Sequence, residues 1–157
     1  VGLPLPAILA AALASPAGAL QNEPPMITHE PPACGAPAAR SRVCAYVVDD
    51  AGIAQVRLNF RARGVRAFHW TPMAFDGALY CAWLPAPLPE TSVVEYYVEA
   101  VDDAFEPSRT ADHAFAVRAD CPAPSPAPSP APAVVGTTTV KQPPLPAGFD
   151  PATLAAR

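Results

Sequence analysis

The side chains that could do chemistry are few: four cysteines, three histidines and a small set of aspartates grouped in turns. Cys34, Cys44, Cys81 and Cys121 form an even set with three possible pairings. No two of them sit in a CxxC knuckle, so a zinc site lacks its usual local ligand pair and disulfides are the better expectation. The histidines, His29, His69 and His113, are scattered along the chain. No HExxH, nucleophile-elbow serine, P-loop or GxGxxG motif accompanies them. With all cysteines assigned to bridges no thiolate nucleophile remains, so the expectation is a protein that is not an enzyme. Asp49, Asp50, Asp102 and Asp103 belong to two turns expected at one pole, with Asp76 nearby. Carboxylates clustered at loop ends can hold calcium. Aspartate also favours turns because its oxygens accept nearby backbone N–H groups. No spaced ligand loop is present, so the turn role is preferred and no cofactor is expected.

Compartment decides whether those cysteines can be oxidised. The start, VGLPLPAILAAALASPAGA, resembles the back half of a secretory signal peptide. An apolar run from Leu3 to Leu13 is broken by Pro16 and followed by the small-x-small pattern Ala17-Gly18-Ala19. Its Lys/Arg-rich beginning is missing. The run is well short of the ~20 residues a membrane span needs. Residues 1–19 are therefore read as an export segment and the protein as secreted or periplasmic, where disulfides persist. The formal charge of −4 over 157 residues leaves no basic footprint for nucleic acid or anionic lipid.

The elements that must position these residues are short and extended. Met26–Glu30, Ser41–Val48, Gln55–Arg61, Ala67–Phe75, Leu79–Leu84, Val93–Val101 and His113–Arg118 all carry strand patterns. Turn chemistry separates them, as in DDAG after Val48 and Asp76-Gly77 after Phe75. In Gln55–Arg61 the apolar set Val56, Leu58, Phe60 alternates with charged and polar residues, as a half-buried strand requires. Nothing reads as a long amphipathic helix. About seven strands with regular turns argue for an all-β sandwich over residues 20–120. Beyond it, PAPSPAPSPAPA cannot build a core, and 121–157 is read as an extended Pro/Ala/Ser-rich linker and tail.

VCAYVVDDAGIAQVRLNFR, ALYCAWLPAP and VEYYVEAVDDAFEPSR together resemble an immunoglobulin-like, fibronectin type III-like domain of secreted bacterial proteins. The likeness covers about residues 26 to 119. It departs at Val94, where such domains usually carry a corner tyrosine, and in lacking a cysteine on the penultimate strand. The resemblance implies that the third and sixth strands are antiparallel neighbours. Pairing Asn59 with Tyr97 then sets Arg57 opposite Glu99 and Arg61 opposite Glu95 outside, with Val56, Leu58 and Phe60 facing Ala100, Val98 and Tyr96 inside. It also implies that the second and fifth strands pair, which brings Cys44 and Cys81 together on an outer face and leaves Cys34–Cys121 to close one end. That face gathers Arg42, Tyr46, Leu79 and Trp83 as candidate binding residues for a protein or carbohydrate partner. The competing expectation is that Arg42 stacks over Trp83 and the tail covers the rest. The functional expectation is a non-catalytic interaction module on a proline-rich spacer. The alternatives are a carbohydrate-binding accessory module and a calcium-stiffened adhesion repeat.

Overall fold

A computed structural model describes residues 2, 22–122 and 146–153. The export segment 1–19, apart from Gly2, and most of the spacer 121–157 lie outside the described residues. Nine strands follow in order: β1 (Met26–His29), β2 (Ser41–Val48), β3 (Ile53–Ala62), β4 (His69–Pro72), β5 (Ala74–Phe75), β6 (Tyr80–Leu84), β7 (Val93–Asp102), β8 (Pro107–Arg109) and β9 (His113–Ala116). They form two antiparallel sheets. The first has the order β1-β2-β6-β5; the second has β4-β3-β7, with β8 and β9 sharing the far edge of β7. The chain is an all-β sandwich.

Alternation builds the core. Val43, Ala45, Val47, Ala82 and Leu84 of the first sheet face Val56, Leu58, Phe60, Val94, Tyr96, Val98 and Ala100 of the second, all buried. Each large aliphatic or aromatic side chain removed from water contributes roughly 1.5–3 kcal/mol, which is what fixes the faces. The β3–β7 register is the expected one: Asn59 opposite Tyr97, Arg57 opposite Glu99, Arg61 opposite Glu95. A one-residue slip would turn Val56, Leu58 and Phe60 to water. The turn after β2 closes on Gly52 at φ 95°, where a Cβ would lie 2.7 Å from an Asp103 carboxylate oxygen.

Two elements differ from expectation. The single strand expected over Ala67–Phe75 is two: β4 pairs with β3 in the second sheet, and β5 pairs with β6 in the first. The chain changes layers at Met73, whose side chain is buried between them. The segment before the last strand, expected as a turn, supplies β8, paired with Glu99–Val101 of β7. A further departure lies in the tail. Residues 146–153 pack against the sandwich, with Phe149 in the core cluster and Pro151–Thr153 forming a 3-10 turn.

Candidate functional site

Both disulfides close as the register implies. Cys44 and Cys81 are cross-strand partners of β2 and β6 with Cα atoms 4.1 Å apart. Cys34 and Cys121, 87 positions apart in sequence, tie the segment after β1 to the segment after β9 with Cα atoms 5.9 Å apart. Cys44, one half of the Cys44–Cys81 bridge, lines an open groove of about 470 Å³ on the outer face of the first sheet. Thr28 and Glu30 from β1 and its end, Pro32, Arg42 and Tyr46 from β2, and Leu79 before β6 line it.

Of the four candidate binding residues, three come together there: Arg42, Tyr46 and Leu79. Tyr46 is 46% exposed and gives the groove an aromatic wall with a polar tip. Arg42 does not stack over Trp83. Its guanidinium donates to Asp76 at 2.9 Å. Asp76 also accepts the backbone N–H groups of Leu79 and Ala78, 2.9 and 3.1 Å away. Those N–H groups, Leu79's first, together with Arg42 hold the Asp76 carboxyl below the usual carboxylate range. The result is a braced rim: one turn fixes an acid, the acid fixes an arginine, and the arginine borders the groove. Trp83 lies opposite Arg42 in register but outside the groove lining, and it is Arg40 that sits over its ring, 5.8 Å from the centroid. Cα register sets which residues are neighbours; it does not fix where a long side chain lays its head.

The candidate metal ligands separate. The turns holding Asp49 and Asp103 adjoin as expected, with Asp103 N–H donating to Gly52 O at 3.1 Å. Asp49 accepts Ala51 N–H at 2.8 Å, and Asp50 is exposed in the same turn. Asp102 is fully buried. Burial opposes its charge, but hydrogen bonds from Asn22 and from the backbone N–H groups of Glu106, Ala104 and Phe105 outweigh that and lower its pKa. Asp76 is committed to Arg42. Among the described residues no three acidic, histidine or cysteine side chains converge.

Two constellations were not anticipated. On the outer face of the second sheet, arginines lie over aromatic rings: Arg57 on Trp70 at 4.5 Å, Arg61 on Phe68 at 4.2 Å and Arg109 on Tyr97 at 3.8 Å. Such contacts order long side chains and contribute about 0.5–1 kcal/mol each at exposed sites. Between the sheets, His29 and His113 are not scattered but meet Tyr96. His29 donates Nδ1–H to Cys44 O and accepts the Tyr96 hydroxyl at Nε2, both at 2.7 Å. His113 packs edge-on to His29 with centroids 5.1 Å apart. Burial, then the neighbouring His113, depresses the His29 pKa against the upward pull of Cys44 O and Glu30, and burial raises that of Tyr96. Extending the register would have revealed this cluster, since His29 pairs with inward Ala45 and His113 with inward Tyr96.

No family model matches the chain, and no curated protein matches it. Among solved structures it is similar to an engineered protein determined at 1.98 Å, with 21% identity and a TM-score of 0.46 over 60% of this chain. The chain spans 20% of the length of that protein, and a likeness of this degree carries no functional argument.

Proposed function

We propose that this chain is a non-catalytic interaction module, exported to an oxidising compartment, whose immunoglobulin-like sandwich presents the groove beside Cys44–Cys81 to a protein partner. The observation that carries the reading is the preparation of that groove. Disulfide-bonded Cys44 lies in its lining, its aromatic wall is Tyr46, and its charged rim is oriented by the Arg42–Asp76 pair. A surface ordered before binding loses less conformational entropy when a partner arrives. The two disulfides and the signal-like start support export. The division of strands, with β1, β2 and β6 in one layer and β3 and β7 in the other, supports the immunoglobulin-like assignment.

The test uses the full chain against a displayed library of random dodecapeptides. Selected peptides are expected to shift the amide resonances of Thr28, Tyr46 and Leu79 and to lose affinity at least tenfold against Tyr46→Ala. Selections that map elsewhere on the sandwich overturn the assignment of the groove. Displacement of the peptides by soluble oligosaccharides would move the reading to a carbohydrate-binding module.

A further inference from the structure

The outer face of the second sheet is basic in a chain whose formal charge is −4. Arg57 and Arg61 stand in the outer row of β3, Arg109 of β8 lies opposite Glu99, and Arg63 and Arg66 follow β3. These are five of the ten Lys and Arg residues of the sequence. Their acids are fewer. Arg61 and Arg63 share the two oxygens of Glu95, each at 2.9 Å, Arg57 stands 4.0 Å from Glu99, and Arg109 pairs with Asp112. Arg66 is exposed beside them, its carbonyl accepting from Arg61 Nη1 at 3.1 Å. The face is short of acceptors in its interior too. Asn59 lies in the same outer row, between Trp70 and Tyr97, and is only 8% exposed. Its Nδ2 and the Nε of neighbouring Arg57 are buried, with no acceptor for either among the described residues. Buried donors are ordinarily satisfied. A guanidinium stacked on Trp70, Phe68 or Tyr97 is ordered by the ring yet keeps its in-plane N–H donors for an acceptor.

The same chain holds carboxylates in surplus at the other end of that sheet. Asp49, Asp50, Asp103 and Glu106 occupy the two adjoining turns, and none of them forms an ion pair among the described residues. Between Asp103 and Glu106, Phe105 is 84% exposed at φ 67°, a conformation a bulky residue rarely adopts. Fully buried Asp102 imposes it: its carboxylate accepts Glu106 N–H at 2.7 Å and its carbonyl accepts Phe105 N–H at 3.2 Å. The tip is thus a fixed apolar anchor ringed by acids, the chemical complement of a face built from arginines and aromatic rings. The two cannot meet within one chain. The acidic turns adjoin Ile53 and Asp102, whereas Arg63 and Arg66 lie beyond Ala62, so the ten residues of β3, about 30 Å of strand, separate them. A second copy laid antiparallel across the face brings each acidic tip to the other's arginine end, and one two-fold axis makes the contact twice.

We infer that the outer face of the second sheet is a dimerisation surface, on which the acidic, Phe105-bearing tip of each of two antiparallel copies docks at the Arg61, Arg63 and Arg66 end of the other. The groove beside Cys44, on the opposite sheet, stays open in such a pair.

Sedimentation equilibrium of the full chain from micromolar to near-millimolar concentration tests this, with near-ultraviolet circular dichroism verifying that each variant keeps its fold. A dimer mass is expected, weakening as salt screens the contacts. The tip variant Asp50→Arg, Glu106→Arg and the face variant Arg63→Glu, Arg66→Glu should each dimerise at least tenfold more weakly than the wild type, as should Phe105→Ser. Mixing the two charge-reversed variants restores both contacts at once, so an equimolar mixture should recover the dimer that neither forms alone. A wild type that stays monomeric at low salt, variants that associate as the wild type does, or a mixture no more dimeric than its components overturns the proposal.

Discussion

His29 occupies a position where a single proton changes the connection between the two sheets. In its neutral form it bridges Cys44 O in one layer to the Tyr96 hydroxyl in the other. A second proton would convert Nε2 from acceptor to donor, and Tyr96 would have to turn its own hydroxyl hydrogen elsewhere. The folded-state pKa lies below the ordinary value of 6.5, because burial and His113 disfavour the charge more than Cys44 O and Glu30 favour it. For a depressed histidine the unfolded chain takes up the proton first. The His29 contribution to stability is therefore complete above about pH 6.5 and is lost as pH falls through the folded value. Chemical denaturation of the wild type and of His29→Gln between pH 7.5 and 5 should show the wild-type midpoint dropping more steeply with acidity. Parallel curves would remove His29 as the cause.

Met73 is where one run of chain leaves one sheet and joins the other, and its buried side chain holds the crossing. Met73→Ala is expected to cost about 2 kcal/mol or more, read from a denaturant midpoint, and to raise amide exchange in β4 and β5 before the other strands. The elements were legible wherever a long alternating run met a partner of complementary pattern. Arg57, Asn59 and Arg61 against Glu99, Tyr97 and Glu95 fix a register because charge and hydrophobicity agree on it. The same holds for Cys44 against Cys81. The layer change at Met73 was not legible, since an apolar residue between two short aromatic stretches looks the same whichever sheet each joins. The docked segment was hidden for a related reason: one phenylalanine among prolines has no period to detect. At the groove, Arg42, Tyr46 and Leu79 could be placed from alternation, whereas the Arg42–Asp76 and Arg40–Trp83 partnerships depend on side-chain reach that strand pairing leaves undetermined.

Over the whole molecule, a small core is supplemented by two covalent closures. In the chain-entropy account a loop as long as that between Cys34 and Cys121 adds about 4 kcal/mol by restricting the unfolded ensemble. The double variant Cys34→Ala, Cys121→Ala should lose about 2–4 kcal/mol in urea while retaining the β3–β7 register, seen as unchanged cross-strand nuclear Overhauser contacts between Asn59 and Tyr97. That bond has a second consequence. Asn22 is tied to Asp102 where β7 ends, whereas Val117 and the emerging spacer sit beside Ser92 where β7 begins. The polypeptide thus runs in at one tip of the sandwich and out at the other. Tension applied along it must first strip residues 146–153 from Ala86, Leu88 and Thr91; the load then passes down β1 to Cys34, crosses the sulfur–sulfur bond and continues into the spacer, leaving residues 35–120 as an unloaded loop. Pulled from both sides, the sandwich would lose its docked C-terminal segment and its first strand and then stop lengthening at the sulfur–sulfur bond.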